Sequence, residues 1–189
     1  MIVDQELYGP LAFLAGEWSS GEDWKGENRA PAPDRGVENT KFRQTMKFEP
    51  IDDVNNHEQK LYGLRYSTFA WEEGDEEPFH EEVGYWLWDK KEKQVMKCFN
   101  VPRGISLIAG GSAELDSTDF DLVAEIGDQT YGICSNKFLD QEFKTVKYEI
   151  NISFNGEDSF SYDENTHILI KGREDIFNHT EKNTLTRVK

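Results

Sequence analysis

The segment TVKYEINISF, residues 145–154, alternates between two kinds of side chain without exception. Its apolar positions are Val146, Tyr148, Ile150, Ile152 and Phe154, and the positions between them are polar. A period of two is typical of a β-strand with one face buried and the other in solvent. The pair Asn155-Gly156 follows at once and favours a tight type I′ hairpin, because both positions accept a positive φ. The segment therefore predicts a half-buried strand that enters a hairpin.

The same period of two recurs along the chain from Val37 onward. Phe42, Gln44, Met46 and Phe48 share one face of a predicted strand, and Tyr62, Leu64 and Tyr66 share a face of the next. Further strands are predicted at Phe79–Asp89, Gln94–Val101, Ile105–Gly110, Asp119–Glu125, Ser159–Tyr162, Ile168–Lys171 and Asn183–Val188. Roughly ten antiparallel strands with short connections avoid exposed edges by closing into a barrel or folding into a sandwich. We expect an all-β, calycin-like, up-and-down barrel, and the strand pattern leaves a β-sandwich open.

The start of the chain differs from the rest. Helical periodicity is convincing only at Asp4–Ala15, a segment that Gly16 ends. Residues 17–36 are rich in glycine, proline and charge, which predicts a loop or an irregular hairpin. The length of 189 residues suits one domain, so we expect a single barrel over residues 1–189 with a helical segment at 1–16.

Charge and composition exclude several classes of partner. The chain has 37 acidic and 21 basic side chains, a formal charge of −16. Nucleic acid and anionic membranes both need a basic surface, so we expect neither as a partner. There is no apolar run of roughly 18 residues, no basic and apolar leader, and no disulfide framework from the two cysteines. A cytoplasmic protein is the default expectation, and the oligomeric state is not predicted.

A barrel of this size encloses a cavity that side chains do not always fill, so we expect a small-molecule site inside it. The predicted inward positions that would line the cavity are Phe42, Met46, Trp86, Tyr148, Ile150 and Ile152. The competing interpretation is an interaction module whose interior is filled by its own aromatic side chains. No nucleophile elbow, phosphate-binding glycine loop or Ser/His/Asp order is present, so no catalytic residue is assigned.

Three stretches carry a resemblance to a known family. They are LAFLAGEW at residues 11–18, EPFHEEVGYW at residues 77–86 and FNHTEKNTLTR at residues 177–187. Together they resemble the nitrobindins, heme-binding β-barrels similar in shape to fatty-acid-binding proteins. The resemblance implies heme b in the barrel, His179 as the ligand of the iron and His80 on the opposite, distal side. It also implies chemistry with nitric oxide, or isomerisation of peroxynitrite to nitrate.

The residues themselves leave the roles of both histidines open. The closing stretch has one residue more between His179 and Leu185 than the family motif, and a one-residue shift moves a side chain to the other face of a strand. An outward His179 would favour the alternative function, a heme-free barrel that binds a small apolar or aromatic metabolite. His80 is also compatible with a simple strand-end pair with Glu82, since residues two apart share a face. These two residues alone are too few for a dedicated metal site.

Overall fold

The computed structural model describes residues 3–189, which form thirteen strands and three short helical elements. The helical elements are α1 (Gln5–Tyr8), a 3₁₀ helix (Gly9–Phe13) and α2 (Lys137–Glu142). The strands are β1 (Gly16–Ser19), β2 (Gly26–Pro31), β3 (Val37–Pro50), β4 (Val54–Asn55), β5 (Lys60–Glu72), β6 (His80–Asp89), β7 (Gln94–Val101), β8 (Ile105–Ser112), β9 (Asp119–Glu125), β10 (Ile133–Ser135), β11 (Phe143–Phe154), β12 (Ser159–Ile170) and β13 (Ile176–Arg187).

Ten of these strands close into an antiparallel ring. In chain order they are β2, β3, β5, β6, β7, β8, β9, β11, β12 and β13, and β13 pairs back onto β2. The prediction of an up-and-down barrel is confirmed. Strand β1 lies between β3 and β13 in line with β2, so residues 17–36 contain two short strands that fill one position of the ring.

One end of the barrel is closed by the start of the chain. Leu11 and Leu14 of this segment are fully buried, and Trp18 Nε1 donates a hydrogen bond to the Leu14 carbonyl at 2.7 Å. A continuous helix is predicted over Asp4–Ala15, whereas the structure has one α-turn followed by a 3₁₀ helix. Gly9, at φ +56°, separates the two, and Pro10 follows it. Residues 1 and 2 of the predicted helical segment lie outside the described residues.

The largest differences from the predicted strand bounds concern β12 and β13. The predicted strands Ser159–Tyr162 and Ile168–Lys171 form one strand, β12, and Asn183–Val188 is the end of the longer β13. The segments of β12 and β13 that were not predicted as strand carry polar residues on both faces. The sequence there shows no alternation of apolar and polar positions. A bulge at residues 145–147 of β11 also turns Thr145 inward, and Thr145 is 2 % exposed.

The end opposite the N-terminal segment is formed by the loops at residues 32–36, 73–79, 102–104, 126–142 and 171–175. We call it the loop end. Ile168, Ile170 and Phe177 form a small apolar cluster there, with Phe143 packed against it. No helix among residues 3–189 has the length and apolar character that a membrane crossing requires.

Candidate functional site

A lysine lies at the centre of the barrel. Lys97 of β7 is 2 % exposed, and its Nζ lies 3.0 Å from Glu82 Oε2 and 3.7 Å from Glu164 Oε2. It also donates a hydrogen bond to the Tyr148 hydroxyl at 2.8 Å and lies 3.9 Å above the centre of the Phe99 ring. A buried ammonium group is costly unless it is paired and hydrogen-bonded, and here it is both.

Glu82 connects this lysine to His80. Tyr66 donates its hydroxyl hydrogen to Glu82 Oε2 at 3.0 Å, and His80 Nε2 lies 3.4 Å from Glu82 Oε1. Burial on its own would raise the pKa of Glu82, but the charge of Lys97 and the hydrogen bond and charge of His80 outweigh it and lower the pKa to about 2. Glu82 is therefore ionised inside the barrel.

His80 begins β6 and is cationic at neutral pH. Burial opposes its charged form, but the hydrogen bond to Glu82 and the negative charges of Glu82, Glu181 and Glu164 outweigh this and raise the pKa of His80 to about 9. Its side chain is 27 % exposed, so it lies at the border between the polar centre and the loop end.

Two more carboxyl groups face the same space from neighbouring strands. Glu164 of β12 and Glu181 of β13 are directly opposite each other, and their hydroxyl donors are Tyr148 and Tyr162 respectively. Burial, together with the charges of Glu82 and Glu181, outweighs the attraction of Lys97 and raises the pKa of Glu164 to about 7. Burial also raises the pKa of Glu181.

His179 faces the interior of the barrel. Strand β13 pairs with β12 without a bulge, so the even spacing of His179 and Leu185 places both on the inner face, where Leu185 is fully buried. The structure therefore answers the question that the extra residue in this strand raised. Burial, followed by the positive charges of His80 and Arg29, lowers the pKa of His179 to about 4. The imidazole is neutral at physiological pH.

A neighbouring amide orients this imidazole. His179 Nε2 lies 3.0 Å from Asn28 Oδ1, and Asn28 Nδ2 donates to Thr40 Oγ1 at 3.1 Å. Because the amide nitrogen of Asn28 is used by Thr40, its oxygen accepts from His179, and Nε2 carries the imidazole hydrogen. Nδ1 is then the nitrogen with a free lone pair.

The central cavity is small, about 20 Å³, and it is lined by both apolar and charged side chains. Of the residues predicted to line it, Met46, Trp86, Ile150 and Ile152 do so, whereas Phe42 and Tyr148 are buried but do not contact it. His80 also lines the cavity, and His179 does not. Space of this size holds about one water molecule, so the interior is largely filled by the chain itself.

Sequence reasoning missed the charged residues of this centre, namely Lys97, Glu164 and Glu181. The available signal was position: each of them lies on the inner face of its strand, two residues from an inward neighbour such as Phe99, Tyr162 or Asn183. Within residues 3–189 no group of three or more His, Cys, Asp or Glu side chains is arranged to hold a metal ion.

Comparisons with known proteins agree with the fold. The model of a family described as THAP4-like, heme-binding beta-barrel domain matches residues 7–187. The crystal structure of Rv2717c from M. tuberculosis is similar with a TM-score of 0.66 and 18% sequence identity, covering 97% of this chain and 99% of that chain. Identity this low supports the shared fold alone. No curated protein gives a significant match. The family match confirms the resemblance that the three sequence motifs indicated.

Proposed function

The chain belongs to the family of THAP4-like, heme-binding β-barrel domains, and from this premise we propose that it binds ferric heme b with His179 as the ligand of the iron. The single observation that carries the proposal is the inward, neutral imidazole of His179. Neutral imidazole is a common axial ligand of heme iron, and one protein ligand suffices for a five-coordinate site.

The surroundings of His179 support this role. Histidines that ligate metals usually donate their other ring N–H to an oxygen acceptor, which fixes the orientation of the ring. The contact between His179 Nε2 and Asn28 Oδ1, at 3.0 Å, fixes the orientation of the ring in the heme-free protein, and iron binding would use a ring nitrogen that carries no hydrogen. The donor chemistry at this end of the barrel therefore fits heme.

The central cavity is too small for heme, so heme binding requires side chains to move. Pockets for ligands of this kind measure about 300–1,000 Å³, and the central cavity measures about 20 Å³. The polar centre around Lys97 therefore does not receive the porphyrin. Binding requires side chains at the loop end to move apart, among them Phe42, whose ring packs 6.1 Å from that of Phe79.

His80 is the second residue in this proposal. Bound heme would supply an iron that binds and polarises a small ligand such as nitric oxide or peroxynitrite. His80 is held on the inner side of β6 by Glu82 and is cationic at neutral pH, so it donates hydrogen bonds. We place it on the distal side, where its charge would stabilise an anionic oxygen, as isomerisation of peroxynitrite to nitrate requires.

The alternative of a heme-free barrel for an apolar metabolite gains no support from the site. Its premise was an outward His179, and the interior that such a metabolite would enter contains Lys97, Glu82 and Glu164. An apolar ligand does not compensate buried charges for the loss of water.

The test is a comparison of two histidine variants. His167 lies on the neighbouring strand β12, faces away from the interior and contacts Glu149 at 2.8 Å, which makes it a matched control. On addition of ferric heme we expect the wild type and His167→Ala to show the same saturable change in the Soret band. His179→Ala is expected to lose it and to keep the melting temperature of the apo protein. An unchanged Soret band in His179→Ala would remove His179 from the proposal.

A further inference from the structure

A buried hydrogen-bond donor at the central cavity has no protein partner. Trp86 is 2 % exposed and lines the cavity, and its indole Nε1 makes no hydrogen bond to any described residue. Leaving a buried N–H without an acceptor is unfavourable, because the group loses its hydrogen bond to water on folding. Because Trp86 also lines the cavity, an acceptor inside the cavity would satisfy the indole.

Acceptors face the same space. Glu164 uses Oε2 for its hydrogen bond from Tyr148, and Glu181 uses Oε1 for the one from Tyr162. Within residues 3–189 the second oxygen of each carboxyl group has no hydrogen bond from the protein, and both residues line the cavity. A molecule in the cavity that accepts from the indole and donates to a carboxyl oxygen would satisfy both groups.

The cavity distinguishes Trp86 from a second buried tryptophan, Trp88. Trp88 Nε1 also lacks a partner, but this ring packs under the backbone of Gly9, where an added Cβ would lie 2.6 Å from Nε1. Trp88 does not line the cavity, so no space for a molecule adjoins it.

From this combination we propose that the central cavity is a binding site for a polar molecule of one or two heavy atoms that both accepts and donates hydrogen bonds. Water is the resting occupant, and a small neutral molecule such as hydroxylamine replaces it. The cavity of about 20 Å³ exceeds the ~10–15 Å³ that one water requires and leaves no room for a larger ligand. The site goes beyond the proposed function, because the chain forms it without heme.

Two cationic side chains border the site. His80 and Lys97 both line the cavity. A small polar ligand held there would lie beside the imidazole of His80 and the ammonium group of Lys97.

The first test is nuclear magnetic resonance of the nitrogen-15-labelled apo protein. We expect the indole N–H of Trp86 to show a cross-peak to bound water, and the indole N–H of Trp88 to show none. The Trp86→Phe variant identifies the signal. Absence of the water cross-peak at Trp86, or an equal one at Trp88, would overturn the proposal, and neither result depends on heme binding.

The second test is a titration of the apo protein with hydroxylamine, followed through the ring signals of His80. Saturable shifts are expected in the wild type and in Trp88→Phe, and at least tenfold weaker binding in Trp86→Phe. Shifts that do not saturate in the wild type, or equal affinity in the two tryptophan variants, would contradict the site. The wild-type titration keeps the test decisive if a tryptophan variant fails to fold.

Discussion

At the scale of single residues, three linked charged side chains lie in the interior: Lys97, Glu82 and His80. Lys97 neutralises Glu82, and Glu82 in turn holds His80. Each of these groups would be unfavourable alone in a barrel centre, and together they satisfy one another. Removing one of the three side chains therefore leaves a buried charge without its partner and destabilises the fold.

Lys97→Met tests the importance of this chain for stability. We expect a loss of about 3–5 kcal/mol in the free energy of unfolding, because Glu82 and Glu164 lose the ammonium group that pairs with them inside the barrel. The control is Lys147→Met, since Lys147 lies 2.6 Å from Glu149 on the outer surface, where a pair contributes about 0–1 kcal/mol. Urea unfolding measures both. Equal losses in the two variants would show that Lys97 is not part of a tightly coupled centre.

The raised pKa of His80 predicts that the free energy of unfolding depends on pH. Its pKa rises from 6.5 to about 9 on folding, so the stabilisation is complete below about pH 6.5 and is lost as the pH rises through 9. The shift corresponds to at most about 3 kcal/mol. Unfolding in urea from pH 6 to 9.5 should show this decline in the wild type and a flatter curve in His80→Gln. The same slope in both would show that the proton is not held by His80.

At the scale of elements, the N-terminal segment closes one end of the barrel through a few leucines. Leu11 and Leu14 are fully buried, and Arg187 of β13 donates to the carbonyls of Phe13 and Ala15 at 2.8 and 2.7 Å. The segment is thus fixed both to the core and to the last strand. A ligand that enters the barrel would therefore do so at the loop end.

The Leu11→Ala variant tests how much the packing of the N-terminal segment stabilises the barrel. Deleting a fully buried leucine side chain is expected to lower the free energy of unfolding by about 2–5 kcal/mol. Leu7→Ala is the matched control, because Leu7 of α1 is 39 % exposed and should change stability by less than about 1 kcal/mol. Calorimetry of the two apo variants gives the comparison. A small effect of Leu11→Ala would mean that the segment is only loosely attached.

The elements also show what the sequence could and could not predict. Strands β7 and β9 have the predicted bounds, and β11 contains the decisive alternating segment, since their inner faces are mainly apolar. Strands β12 and β13 place Glu164, His179 and Glu181 inside, so in the middle of each strand the inner face is as polar as the outer face. The period of two then disappears from the sequence. The features that hide these strands are the same ones that build the candidate site.

At the scale of the whole molecule, the barrel has a polar centre between two apolar ends. The main apolar core includes Leu11, Trp18 and Phe160, and a separate cluster of Ile168, Ile170 and Phe177 lies near the loop end. The ring of ten strands is closed, which protects the strand edges. His80 and His179 both belong to the part of the interior that is nearest the loop end. The two proposed ligands therefore belong to different places, heme beside His179 and the water-sized ligand at the centre.

The most direct test of the account is a titration of the purified wild-type apo protein with ferric heme, followed by absorbance from the Soret region to 700 nm. The account predicts a saturable change at one heme per chain, with the spectrum of a histidine-ligated ferric heme. A spectrum that stays identical to that of free heme at every protein concentration would contradict heme binding and leave the barrel without its proposed ligand.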